Sequence, residues 1–297
     1  MAFYFKKITV IGVGLIGGSL SIILRRKGLA GSITGVGRGL ANLEAAKRLG
    51  VVDSFTQDVG EGVKDADFVL IATPVLKIGE TVRKAAPFLK KGAIVTDVGS
   101  VKKAVIDECE PLIPKGVHFV PGHPIAGTEH SGVEAAFPDL FKGRRCILTP
   151  TDNTDDKALS TVKEVWEAAG SEVVVMDPSR HDAILAAVSH LPHMIAYSLV
   201  NTVGDIEKSG VDALSYSAGG FRDFTRIASS SPEMWADICA MNSDAILKTI
   251  SDFEKRLANL KTLIDANDVE GLKHDFARAK SIRDSLVNKA GKLAEDK

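Results

Sequence analysis

Through residue 176, short runs of β-branched and other apolar residues alternate with longer stretches of helical periodicity; beyond it the short runs stop. The runs predict strands at 7–11, 32–36, 68–72, 93–97, 117–120, 145–149 and 172–176. Turn signals such as Lys91-Gly92 and Pro114-Lys115-Gly116 separate them, and Pro74 releases the chain from the third. Strands spaced by helices in this way form βαβ units and a parallel sheet. Downstream the pattern predicts helices over 179–203, 232–264 and 268–293. Ser231 before Pro232 is a strong start signal, because a serine hydroxyl accepts from the first free amides and proline tolerates the first helical position. Within the second of these helices Ile246, Ile250, Phe253, Leu257, Leu260 and Ile264 recur at heptad spacing. Such a seam serves either an intramolecular bundle or a contact between two copies. On a helix this long in a small domain it stays exposed unless another helix covers it, so the expectation is dimerisation. The predicted architecture is an α/β domain over 1–176 followed by an all-α domain over 177–297.

Composition narrows the function. The 297 residues, 45% hydrophobic and 25% charged, are enough for two cores. A formal charge of -1 without a long single-sign run offers no general attraction to nucleic acid or to an anionic membrane. Cys109, Cys146 and Cys239 lie far apart, so neither a disulfide framework nor a metal site is expected. The apolar run 8–11 is too short for a signal-peptide core, and no later stretch is expected to reach membrane-spanning length. These features point to a cytoplasmic protein that handles a small molecule.

Directly after the first predicted strand stands Gly12-Val13-Gly14-Leu15-Ile16-Gly17, opening an apolar helix. A lone G-x-G-x-x-G says little; between a strand and a helix, with a second strand some 20 residues on, it reads as the turn of a Rossmann-type dinucleotide-binding domain. Gly12 allows the tight turn, Gly14 lets the backbone approach a pyrophosphate, and Gly17 lets the helix pack on the sheet, while the amides of Leu15 and Ile16 lie at the helix start. The second strand leads into Gly37-Arg38, where NAD enzymes usually carry an acid for the ribose 2′-hydroxyl. With no carboxylate there and Arg38 adjacent, the cofactor expected is NAD(P)+ with NADP+ favoured; the alternative is that Arg38 faces solvent.

Three further segments hold reactive side chains. Asp97-Val98-Gly99-Ser100-Val101-Lys102 lies at a strand end, the edge where α/β ligands bind. Pro121-Gly122-His123-Pro124 begins at another, and the two prolines stiffen the loop expected around a histidine whose ordinary pKa of about 6.5 suits a general base. In the helical half, Ser189-His190-Leu191-Pro192-His193 places two histidines beside a proline that either serves a site or merely kinks the helix. Gly220-Phe221-Arg222-Asp223-Phe224-Thr225-Arg226 follows, then Trp235. One of these arginines suits a carboxylate clamp; the other is expected to be structural.

At these residues the chain resembles the prephenate dehydrogenase family, in its cyclohexadienyl dehydrogenase group. The resemblance runs from Gly12 through 97–102, 122–129 and 189–193 to 220–235. It implies oxidative decarboxylation of prephenate to 4-hydroxyphenylpyruvate with NAD(P)+ in tyrosine biosynthesis, without a metal. It makes His123 the acceptor of the substrate hydroxyl proton and Ser100 its hydrogen-bonding partner at the same centre. It gives Arg226 to a substrate carboxylate, and sets His193, Thr128 and Trp235 around the pocket. Arogenate is the alternative substrate; a β-hydroxyacid dehydrogenase, with its pocket centred on a lysine, and a nonenzymatic NAD(P)-sensing protein are more distant readings. The resemblance spans the chain, so no fused chorismate mutase or ACT domain is expected.

Overall fold

A computed structural model describes residues 3–128 and 130–295, with side chains through 286. By internal contacts the chain divides into two units, Met1–Ile246 and Leu247–Lys297. The first unit opens with β1 (Phe5–Ile11), α1 (Leu15–Arg26), β2 (Ala30–Val36), α2 (Leu40–Arg48), β3 (Ser54–Thr56), α3 (Val59–Val63), β4 (Phe68–Ile71), α4 (Ile78–Ala85), β5 (Ile94–Asp97), α5 (Lys103–Cys109) and β6 (His118–Val120). The six strands form one parallel sheet in the order β3-β2-β1-β4-β5-β6. Phe68, Val69, Leu70 and Ile71 of β4 are all buried, as expected for a central strand covered on both faces. The strand order reverses between β1 and β4, and at such a switch point a crevice opens beyond the carboxyl ends of the strands.

The sequence pattern predicted a single parallel sheet; the structure has two. After β6 the chain passes through Pro121 into β7 (Gly122–Pro124), then β8 (Arg145–Leu148), α6 (Asp156–Ala168) and β9 (Glu172–Val175). These strands form a separate sheet, β7-β8-β9, with β7 antiparallel to β8. Pro124 has no N–H to donate, and a proline is tolerated in a strand only at an edge, where β7 lies. The second sheet shares the first's core: Cys146, Leu148, Phe141 and Trp166 pack in the same apolar cluster as Val10 and Leu24.

The helical part begins with α7 (Pro178–Leu185), continues through one π-helical turn (Ala186–His190), and runs on as α8 (Leu191–Lys208). Asp177 Oδ1 accepts from the Arg180 amide at 2.9 Å to start it. The expected distortion at Pro192 is present one turn upstream, as the π turn. Pro192 occupies the first turn of α8, where its missing N–H removes the usual bond to the preceding turn. The continuous rod of 31 residues is long and apolar enough to cross a membrane by length and composition, contrary to the sequence expectation. Next come α9 (Gly219–Thr225) and α10 (Pro232–Met241), the latter capped by Ser231 as predicted. The long helix predicted over 232–264 is broken: Asn242, at φ -121 and ψ 32, separates α10 from α11 (Ser243–Asp265). The second unit consists of the rest of α11 and of α12 (Val269–Glu295), joined by a turn with Asn267 in the left-handed region at φ 48. Its apolar residues Leu257, Ile264 and Phe276 are more than half exposed in the single chain.

Candidate active site

At the switch point Gly12 has φ +94, and a Cβ there would meet the Ala72 carbonyl oxygen at 2.4 Å. At Gly17 a Cβ would meet the Gly12 oxygen at 2.5 Å, so glycine alone lets α1 pack this close to β1. A Cβ on Gly14, by contrast, would meet nothing within 4 Å. Among the described residues no side chain caps α1, and the amides of Leu15, Ile16 and Gly17 in its first turn have no intrahelical acceptor. Open space beside uncapped amides is what a pyrophosphate requires. Asn42 ties the turn down: its Nδ2 donates to the Val13 carbonyl at 2.8 Å and its Oδ1 accepts from the Val133 amide at 3.0 Å. Past the end of β2, Arg38 is exposed; its carbonyl accepts from Gln57 Nε2 at 2.6 Å, and its guanidinium makes no ion pair among the described residues.

His123 lies in strand β7 rather than in the loop expected, only 8% exposed, with its register partner Ile147 on β8. Its Nδ1 is 2.8 Å from Nε2 of His181, and Nδ1 of His181 is 2.7 Å from Oδ1 of Asp182. Asp182 also accepts from the amides of Lys102 and Lys103, each at 2.8 Å. Burial raises the Asp182 carboxyl, but the hydrogen bonds from His181 and from these amides outweigh it and hold the group below its ordinary value, hence ionised. Burial is also the main influence on both imidazoles. It pushes His123 well below 6.5, helped by the neighbouring His181 and then by the positive charge of Lys102, and lowers His181 despite the opposing carboxylate. Both rings are therefore neutral near pH 7.

Beneath this chain Lys102 is completely enclosed, bonded through Nζ to Asp97 Oδ2 and, at 2.7 Å, to the Gly122 carbonyl. Asn242 joins the cluster to the helices, its Nδ2 lying 3.0 Å from the Asp182 carbonyl and 3.2 Å from His190 Nδ1. Around the corner His193 stacks on Trp235, with ring centroids 3.8 Å apart, and its Nδ1 donates to the Ser189 carbonyl at 2.8 Å. The buried Trp235 Nε1 has no hydrogen-bond partner among the described residues. His193 is lowered by burial first, against the opposing hydrogen bond to Ser189, and further by the positive charge of Arg226, which is itself exposed at the turn after α9.

The structure thus gathers His123 with three groups that the sequence pattern did not single out as functional: His181, Asp182 and Asn242. It stacks His193 on Trp235, with Arg226 near enough for its charge to act on His193. Ser100 is half-buried three residues past Asp97 and makes no hydrogen bond among the described residues. Thr128 is exposed, its hydroxyl accepting from the His130 amide at 3.2 Å; Glu129, within the same segment, lies outside the described residues. No periodicity could have revealed His181, since its partners stand 58 residues away and immediately beside it.

An anion-ready glycine turn at the switch point of a doubly wound sheet, with a neutral imidazole on the strand that follows its last member, defines a dinucleotide-dependent dehydrogenase. Sequence models of the prephenate dehydrogenase family match residues 20–175 as its nucleotide-binding domain and 177–278 as its dimerization domain. The chain belongs to the prephenate dehydrogenase family. It is 37% identical over 283 residues to a cyclohexadienyl dehydrogenase of Zymomonas mobilis, covering 95% of this chain and 96% of that one. It superposes with a TM-score of 0.91 and 40% identity on prephenate dehydrogenase from A. aeolicus in complex with hydroxyphenyl propionate and NAD+, covering 96% of this chain and 100% of that one. Synechocystis arogenate dehydrogenase gives a TM-score of 0.80 at 34% identity, over 94% and 99% of the two chains.

Proposed function

We propose that this enzyme oxidatively decarboxylates prephenate to 4-hydroxyphenylpyruvate with NAD(P)+ in tyrosine biosynthesis. Residues 1–176 hold the cofactor and 177–297 supply the helical substrate and dimerisation half. The observation that carries the reading is His123: a buried, neutral imidazole whose Nε2 makes no hydrogen bond among the described residues. A bound nicotinamide would supply the hydride acceptor for C4 of the cyclohexadiene ring. His123 takes the C4 hydroxyl proton and Ser100 bonds the same hydroxyl; loss of the ring carboxylate as carbon dioxide leaves its bonding pair in the ring as a phenolate, which recovers the proton from His123 to give the phenol. Arg226 binds a substrate carboxylate through its two-pronged guanidinium, while His193, Trp235 and Thr128 shape the pocket. The chemistry asks the protein for orientation and one base, and no metal takes part.

Arogenate, which has an amino group where prephenate has a keto group, presents the same ring and is the second substrate to test. A β-hydroxyacid dehydrogenase would need a lysine facing the pocket, whereas Lys102 is enclosed and its ammonium is engaged by Asp97 and Gly122. NADP+ is the favoured cofactor, since Gly37 offers no carboxylate to repel a 2′-phosphate and Arg38 is free to meet one. Leu257, Ile264 and Phe276 supply the apolar surface for a homodimer. Steady-state rates with prephenate and arogenate, each with NAD+ and NADP+, test the assignment; no turnover of either substrate would overturn it.

A further inference from the structure

We propose that His181 and Asp182 are a positioning pair that fixes the tautomer of His123, keeping Nε2 bare to receive a proton before substrate arrives. The proposal rests on the reading of His123 as the base and adds the reason it is ready to act. The assignment follows from one end of the chain to the other. Asp182 is ionised and can only accept, so the proton between it and His181 belongs to His181 Nδ1. A neutral imidazole carries one proton, which leaves His181 Nε2 as an acceptor. Across the 2.8 Å contact the donor must then be His123 Nδ1, and the neutral His123 is left with an unprotonated Nε2. The opposite arrangement would turn a bare His181 Nδ1 toward a carboxylate oxygen 2.7 Å away, lone pair against lone pair.

The surroundings hold this direction in place. Two backbone amides at the start of α5 engage the Asp182 carboxylate, which cannot swing away from His181 without breaking both, and Asn242 Nδ2 holds the backbone there through the Asp182 carbonyl. His123 is fixed from the other side by β8. Once Nε2 takes the proton, the cation on His123 donates through Nδ1 to a ring that itself donates to an anion. The new charge therefore meets an aligned, prepaired path instead of apolar packing. His181 is the spacer between carboxylate and base, extending the reach of a carboxylate on helix α7 to a base on strand β7.

The test reads the tautomer directly. In the full-length enzyme labelled with 15N-histidine, two-bond proton–nitrogen correlations near pH 7 should show His123 and His181 each protonated at Nδ1 and bare at Nε2. Finding His123 protonated at Nε2 in the wild type would overturn the proposal without any variant being made. His181→Phe should give a mixture of His123 tautomers and lower kcat by roughly 10- to 100-fold with KM nearly unchanged, the usual scale for a partner that orients a functional histidine. His181→Gln, whose amide oxygen can accept from His123 Nδ1, should restore the tautomer and most of kcat. An unchanged tautomer in His181→Phe would also refute the pair's role. Full activity in His123→Asn would instead sink the base assignment, leaving the measured tautomers as they are.

Discussion

Lys102 and Asp97 form an ion pair in which neither side chain touches solvent, and the lysine spends a second donor on the Gly122 carbonyl next to His123. Asp97 in turn accepts from the Gly99 amide at 2.8 Å and the Gly122 amide at 3.2 Å. The pair thus joins the end of the parallel sheet to the strand carrying the base. Removing one partner strands a buried charge. Lys102→Met should destabilise the protein by about 3–5 kcal/mol, measured by urea unfolding. A loss under about 1 kcal/mol would show that the pair is not enclosed in solution.

His123→Asn keeps size and polarity but not basicity. Its kcat should fall by about 10² to 10⁴ with KM little changed. In the wild type the acid limb of kcat should lie below the pH of about 6.5 read from an unperturbed imidazole, because burial and the neighbouring His181, Lys102 and His190 disfavour the cation. The limb should vanish in the variant. Retention of most of kcat would transfer the role to another group, with His193 the next to examine.

Arg226 and Arg222 are both exposed, but Arg226 acts on His193 across the site. Arg226→Lys should cost roughly 1.5–3 kcal/mol in kcat/KM, since an ammonium cannot reproduce a two-bond fork. Wild-type behaviour in Arg226→Ala together with an inactive Arg222→Ala would reverse the assignment.

Cofactor choice turns on the end of β2. NADP+ should be used at least as well as NAD+, and Arg38→Ala should lower kcat/KM for NADP+ selectively. A wild-type preference for NAD+ above about tenfold, near 1.4 kcal/mol, would contradict this reading of Gly37 and Arg38.

Burial of His190 lowers its pKa from 6.5 to about 4. The folded state then binds fewer protons than the unfolded state between these values, so its contribution is complete above about 6.5 and is lost as pH falls toward 4. Stability should drop on the order of 2–3 kcal/mol across that window from this residue alone, and the slope should flatten in His190→Gln. A stability profile flat from pH 7 to 4.5 would show that His190 is protonated or solvated in the fold.

The sequence by itself determined the parallel sheet, the glycine turn and the start of α10, because each rests on local physics: continuous apolar runs for buried strands, a backbone that tolerates φ +94 at Gly12, and a serine hydroxyl within reach of its own helix. It singled out His123 through its flanking prolines but gave it a loop, since a three-residue strand with a proline has no period to detect. It drew one helix through Asn242, because no glycine or proline between 233 and 264 marks the break. Only the tertiary structure decided what surrounds the base. His181 reaches His123 across 58 residues, Asn242 meets the Asp182 carbonyl across 60, and Lys102 disappears beneath Gly122. Those contacts depend on where separate elements come to rest, and directional bonds between buried polar groups leave no periodic trace in the chain that makes them.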